Sequence, residues 1–446
     1  MESEDLIRYD ASCCRRDRVG EALGIADEEI DSYAEAFRRA QAQMQDWERD
    51  ETYGFLSLPV KPEAADEALG IVWETPEKVD TFLHLGIGGS SLGPIAIAGA
   101  LDNSLTPKGE TPFRRLIVQE NVDPEGFALS IDGLDWERTL VNVVSKSGGT
   151  IETLATFTAV LGRMKGMLSA EQIARRVVAC TENPTGVLRT IADELGARVV
   201  QLPTNVGGRF SVLTAVGLLP AAAMGVDPHE LLAGAAAMRQ SCLAAATPRD
   251  GCFLSALIPF LLARRGVNVH VLFPYSDLLR GFALWCRQLL AESLGKRIDR
   301  SGRMVEVGQT PTASVGSVDQ HSLLQLYMEG PADKFFTFFE IEKFRSDEPL
   351  EELPHPRLEA EHKRGLTLGR LLQAELMGTA DALAEAGRPS ATIRIPELTA
   401  HSLGQLFYFF ELSTAYAAEL YDIDAFDQPG VEASKKKTLR YLRGEA

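Results

Sequence analysis

The sequence predicts an α/β protein: two sandwich domains with mostly parallel sheets, and helical segments at the two ends. Three observations carry this expectation. Short apolar runs of strand length, such as "TFLHLGI", "TLVNVVS" and "VNVHVLFP", each lead through a loop into a helix-forming run. That alternation is the pattern of a parallel sheet covered by helices on both faces. The rhythm also pauses at the Pro- and Gly-containing stretch "AAAMGVDPHE" (222–230) and resumes beyond it.

Composition agrees with a soluble, enzyme-sized chain. The protein has 446 residues, 45% hydrophobic and 24% charged, enough for more than one core. With 63 acids against 45 bases the net charge is −18, a field that repels polyanions, so neither nucleic acid nor an anionic membrane is an expected partner. Six cysteines without a Cys-x-x-Cys pair read as reduced thiols. The acidic start "MESEDLIRYDASCCRRD" has no apolar core of a signal peptide, and no apolar run reaches about 18 residues, so a cytoplasmic protein is expected.

Taken in order, residues 1–70 are expected to be helical and peripheral, with "EEIDSYAEAFRRAQAQMQDWERDE" as an amphipathic helix. Strands follow at "TFLHLGI", "RRLIVQE", "TLVNVVS", "ARRVVACT" and "ARVVQLP", with helices at "PIAIAGAL" and "IETLATFTAVLGRMKG", giving a first domain over 71–226. A second domain over 227–446 holds the strands "VNVHVLFP" and "ATIRIPE". Its helices are "LLRGFALWCRQLLAES" and "SLGQLFYFFELSTAYAAELY", with further helix at the C-terminus.

Ligands of open parallel sheets sit where strands give way to helices. Two such loops are rich in Gly and Ser. In "GIGGSSLGP", Gly86, Gly88 and Gly89 allow close backbone approach, and Ser90 and Ser91 supply hydroxyls. In "SKSGGTIET", the hydroxyls of Ser145, Ser147 and Thr150 stand at a helix N-terminus, where free N–H groups and the macrodipole favour a phosphate or carboxylate. A Ser/Thr cap explains one hydroxyl, not three. A dinucleotide site fits less well, because Ser91 stands where the last glycine of Gly-x-Gly-x-x-Gly belongs; Glu120 is its candidate ribose carboxylate.

Further along, Gly207 and Gly208 precede Arg209, a planar cation held just before an apolar helix. Gln288 and Glu292, four apart, share one helix face, and Gly295 stops that helix, so Glu292 lies at the negative end of the dipole. His321 is expected at the start of a short helix, and Pro429 at a first helical position ahead of Lys435, Lys436 and Lys437. Successive helical residues point about 100° apart, so only one of the three lysines can enter a given site.

In this chain order the motifs "GIGGSSLGP", "SKSGGT", "GGRFSVLTAVGL", "ESLGK", "QHSLLQL" and "FDQPGVEASK" resemble those of the glucose-6-phosphate isomerase family, bacterial type, over residues 80 to 440. The resemblance implies two sugar-isomerase (SIS) domains, each a three-layer α/β/α sandwich, and interconversion of glucose 6-phosphate and fructose 6-phosphate. It implies Glu292 as the base acting through a cis-enediolate, with Arg209 stabilising that anion and His321 and Lys435 assisting ring opening. The phosphate would be held by Ser145, Lys146, Ser147 and Thr150, the sugar lined by Gly89 and Ser90 and contacted by Gln288 and Gln428. It implies a homodimer with His321 contributed across the interface, and chemistry that needs neither metal nor redox cofactor. One departure from the family is Gly148-Gly149, from which a looser phosphate loop is expected. The rival readings are an isomerase that also accepts mannose 6-phosphate, and a non-catalytic sugar-phosphate regulator.

Overall fold

A computed structural model describes residues 5–76, 78–350 and 366–445. Two five-stranded sheets organise the chain. The first runs β3-β2-β4-β5-β6, with β2 Thr81–Leu85, β3 Arg115–Gln119, β4 Thr139–Val144, β5 Val177–Thr181 and β6 Arg198–Gln201, all parallel. Its central strand β4 is buried throughout, so both faces are covered by helices and the run reads as continuously apolar. The second sheet runs β1-β12-β11-β7-β10, with β1 Arg8–Asp10, β7 Val269–Pro274, β10 Thr310–Ala313, β11 Lys334–Lys343 and β12 Ser390–Glu397. Only β1 is antiparallel there. A short antiparallel pair, β8 Lys296–Ile298 and β9 Met304–Val307, stands apart.

The mostly parallel α/β architecture is therefore as the sequence predicts, with two differences. The N-terminal segment is not only helical: β1 pairs with β12 at the edge of the second sheet. Nor is it peripheral. Tyr53 stacks on Phe426 with centroids 3.5 Å apart, and Trp47, Phe55 and Phe210 close the same aromatic cluster. The segment thus buttresses the turn that carries residues 425–428. A core of aliphatic and aromatic side chains joins this cluster to both sheets and to helix Ala400–Tyr421, which is buried over most of its length. No helix among the described residues is long and apolar enough to cross a membrane.

Candidate active site

Helix Arg280–Leu294 follows β7 and buries Phe282, Trp285, Cys286 and Leu289. The opposite face carries Gln288 and Glu292, one turn apart, and Gln288 Nε2 donates to Glu292 Oε1 at 3.2 Å. Gly295 caps the helix, as its place in the sequence predicts. The second Glu292 oxygen accepts from Arg209 Nη1 at 3.3 Å, so the carboxylate is held from two sides.

Arg209 comes from the turn after β6 and is only 3% exposed. Its planar fork is filled. Nε donates to Ser293 Oγ at 2.7 Å, Nη1 to Gln428 Oε1 at 2.6 Å, and Nη2 to the carbonyls of Ala425 and Asp427. Burial lowers the hold of the guanidinium on its proton, and Glu292 opposes that shift. Arginine stays charged under such conditions where lysine would not, and its fork addresses several acceptors at once. One cation thereby joins the turn at 209, the base helix and the turn at 425–428.

The glycine loop packs directly on this group. A Cβ on Gly89 would stand 2.4 Å from the carbonyl carbon and oxygen of Gly208, and one on Gly88 would stand 3.0 Å from Gln288 Nε2. Glycine at 89 is thus a condition for the approach of the two turns. Gln288 Nε2 is the end of the amide that faces Gly88 and Glu292; its Oε1 is buried with no hydrogen-bond partner among the described residues. From below, buried His84 bonds the Ser90 carbonyl through Nε2 at 2.7 Å and Asn142 through Nδ1 at 3.0 Å. Burial pushes its pKa down to about 4, so it is a neutral brace. Ser91 donates to Glu120 Oε2 at 3.1 Å, which occupies the carboxylate that a dinucleotide reading would assign to a ribose.

Gly89→Ala is expected to force the 88–91 and 208–209 turns apart and to lower kcat/KM by about 10²-fold, the usual effect of an ångström of misplacement. Steady-state kinetics beside a melting curve check this; unchanged kinetics would show that the turns can separate without consequence.

After β4, the second loop turns back on itself. Ser145 Oγ donates to Thr150 Oγ1 at 3.0 Å and accepts from the Thr150 amide at 3.3 Å, while the Gly149 amide donates to Ser147 Oγ. Thr150 stands at the N-cap of helix Ile151–Lys165 without capping it, which leaves that hydroxyl and the first-turn amides for an anion. Ser147 and Gly149 are exposed, Ser145 buried. Lys146 pairs with Glu182 at 3.1 Å and reaches the Thr204 carbonyl at 3.3 Å, tying this loop to the segment that leads to Arg209. The loop is held at its first glycine. Gly148 has φ +70°, a conformation that favours glycine, and its amide and carbonyl are both bonded, to the Ser145 carbonyl and the Leu188 amide.

Within one chain the structure brings together Gly89, Ser90, Arg209, Gln288, Glu292 and Gln428. It does not bring in the remaining two catalytic candidates. His321 is exposed at the end of the 3₁₀ turn Val318–His321, not at a helix start; the α-helix begins at Leu324. Among the described residues no hydrogen bond or ion pair joins it to Glu292. Lys435 lies on the exposed helix Glu432–Leu442, paired with Glu432 at 2.8 Å. Pro429 does open the turn that leads into that helix. Ser293, Lys296 and Asp427 are the structural members that sequence reading missed: Lys296 Nζ bonds the Glu292 carbonyl and both the carbonyl and the carboxylate of Asp427. Lys296 closes the quoted motif "ESLGK", but nothing in the sequence shows a partner 131 residues away.

A parallel α/β framework, an anion-ready helix start and a buried arginine beside a held carboxylate define an enzyme class: acid–base catalysts acting on small anionic substrates. The chain belongs to the phosphoglucose isomerase family, whose model matches residues 70–442. It is 41% identical over 429 residues to a glucose-6-phosphate isomerase of Carboxydothermus hydrogenoformans, covering 95% of this chain and 92% of that one. The corresponding enzyme of Rubrobacter xylanophilus is 38% identical over 419 residues, 93% and 94% of the two chains. Among solved structures, a hypothetical protein from Thermus thermophilus superposes with a TM-score of 0.86 at 34% identity, covering 98% of this chain and 100% of that one. A Chlamydia trachomatis glucose-6-phosphate isomerase shares the fold, with a TM-score of 0.81 at 24% identity over 94% and 86% of the chains.

Proposed function

We propose that the protein interconverts glucose 6-phosphate and fructose 6-phosphate with Glu292 as the base. The observation that carries this reading is the carboxylate of Glu292 held between Gln288 and buried Arg209. From the open-chain aldose, Glu292 takes the C2 proton. The C–H pair forms the C1=C2 bond, and the aldehyde oxygen becomes an enediolate oxyanion. Arg209 is the fixed positive charge that favours this anion over the ground state. Transfer of the O2 proton to O1 and return of the Glu292 proton to C1 gives the ketose. Gln288, Gln428, Gly89 and Ser90 position the sugar, and Ser145, Lys146, Ser147 and Thr150 grip the 6-phosphate, far from the reacting carbons.

His321 and Lys435 assist ring opening, His321 reaching the site from the neighbouring subunit of a homodimer. Its exposure in the single chain supports this, since the imidazole is open to a second copy. Six free thiols and the acidic surface suit a cytoplasmic enzyme. The first 70 residues and the two halves at 71–226 and 227–446 serve as support and as the two SIS domains.

The test is a coupled assay on fructose 6-phosphate with chelator present. Turnover that the chelator leaves unchanged is expected; no turnover would leave only the regulator reading. Mannose 6-phosphate, run alongside, reports whether the enzyme is bifunctional. A second test addresses the dimer. Glu292→Gln and His321→Ala homodimers should each be nearly inactive, yet random reassembly of an equal mixture should restore about a quarter of wild-type activity: about half the dimers are hybrids, each with one intact site. Mixtures no more active than their parents would contradict a shared site.

A further inference from the structure

We propose that Lys296 is a positioning residue: it holds the Asp427–Gln428 peptide so that Gln428 and Arg209 meet the substrate in register. A lysine just past a helix end ordinarily caps its own helix's carbonyls. Lys296 does this once, to Glu292, at 3.1 Å. Its two other bonds leave the helix, to the Asp427 carbonyl at 2.6 Å and the Asp427 carboxylate at 2.7 Å. The side chain is 7% exposed, and its backbone is pinned by the β8–β9 pair, where Lys296 stands opposite Val307. Little freedom remains to it.

Two features make this more than packing. The Asp427 carbonyl is shared by two cations, Lys296 Nζ and Arg209 Nη2, the latter at 3.1 Å. Lys296 and Arg209 therefore converge on one carbonyl oxygen, and the next residue, Gln428, accepts from Arg209 Nη1 through its side-chain oxygen. Lys296 also neutralises the Asp427 carboxylate, whose charge already acts on Arg209. Without Lys296, that carboxylate is free to turn towards the guanidinium and to compete with Glu292 and with a developing oxyanion. Helix Glu432–Leu442, with Lys435, continues from the same peptide, so its placement depends on the same anchor.

This rests on the isomerase reading of Arg209 and Glu292, so the experiment has one arm that needs no turnover. In Lys296→Met, amide exchange of residues 425–431 should quicken relative to wild type, while the rest of the second sheet keeps its protection. In the kinetic arm, Lys296→Met should lower kcat by about 10- to 100-fold with KM moved by less than ~3-fold. Asp427→Asn, a change at a half-exposed side chain that leaves the core untouched, should do the same more weakly and serves if Lys296→Met fails to fold. The two changes together should cost little more than Lys296→Met alone, because they break one contact. Unchanged exchange at 425–431 would overturn the anchoring. Quickened exchange with wild-type kcat, or losses that simply multiply, would overturn its role in the reaction.

Discussion

Glu292→Gln is expected to keep the fold and to lower kcat by about 10²- to 10⁴-fold, the usual worth of a positioned general base. The substitution is nearly isosteric. An amide oxygen can still accept from Arg209 Nη1 or Gln288 Nε2, so the local geometry changes little. What is lost is the basic lone pair, and with it the acceptor for the C2 proton. KM should move far less than kcat, since Gln288, Gln428 and the 145–150 loop are left in place. Turnover near that of the wild type would remove Glu292 from the mechanism.

Arg209→Lys should be nearly as damaging, with the larger part again in kcat. Arginine addresses five acceptors from three nitrogens here: Ser293, Glu292, Gln428 and the carbonyls of Ala425 and Asp427. Lysine offers three donors from a single point, so at least two of these contacts are lost; the Asp427 carbonyl keeps Lys296, and each buried group left unpaired costs on the order of 1–3 kcal/mol. The charge survives but no longer lies where an enediolate oxygen develops, which is worth about 10²- to 10³-fold in kcat. KM should rise modestly as well, because Gln428 loses its anchor. Kinetics read together with a melting curve decide this: a lowered melting temperature with unchanged kcat would make Arg209 purely structural.

Much of this was legible in the chain. The strand runs of the first sheet, the Gly and Ser loops after β2 and β4, and the spacing of Gln288, Glu292 and Gly295 all read correctly, because each is a local pattern. The ten-residue run at 334–343, "KFFTFFEIEK", carries an ordinary β signal of Phe, Thr and Ile and forms β11; it was open to the same reasoning. The "TPTA" of β10 carries none, being short and containing Pro311. What local patterns cannot show is which distant groups a buried cation gathers. Arg209 stands out as a cation after two glycines, but its acceptors at 425–428 are over 200 residues away. The aromatic support of Phe426 by Tyr53 is hidden in the same way, and so the N-terminal segment reads as mere periphery. His321 and Lys435 are a different case. Their motifs are plain in sequence, yet a single chain does not bring them to Glu292.

On the proposed mechanism Glu292 carries a proton between C2 and C1 through an enediolate. Running the reaction from fructose 6-phosphate in D₂O and locating the label in glucose 6-phosphate tests this. A carboxylate that holds the proton between removal and return exchanges part of it with solvent, so deuterium at C2 is the expected result. Glucose 6-phosphate formed at the full rate with no deuterium at C2 would point to direct hydride transfer between the carbons, and would contradict the account.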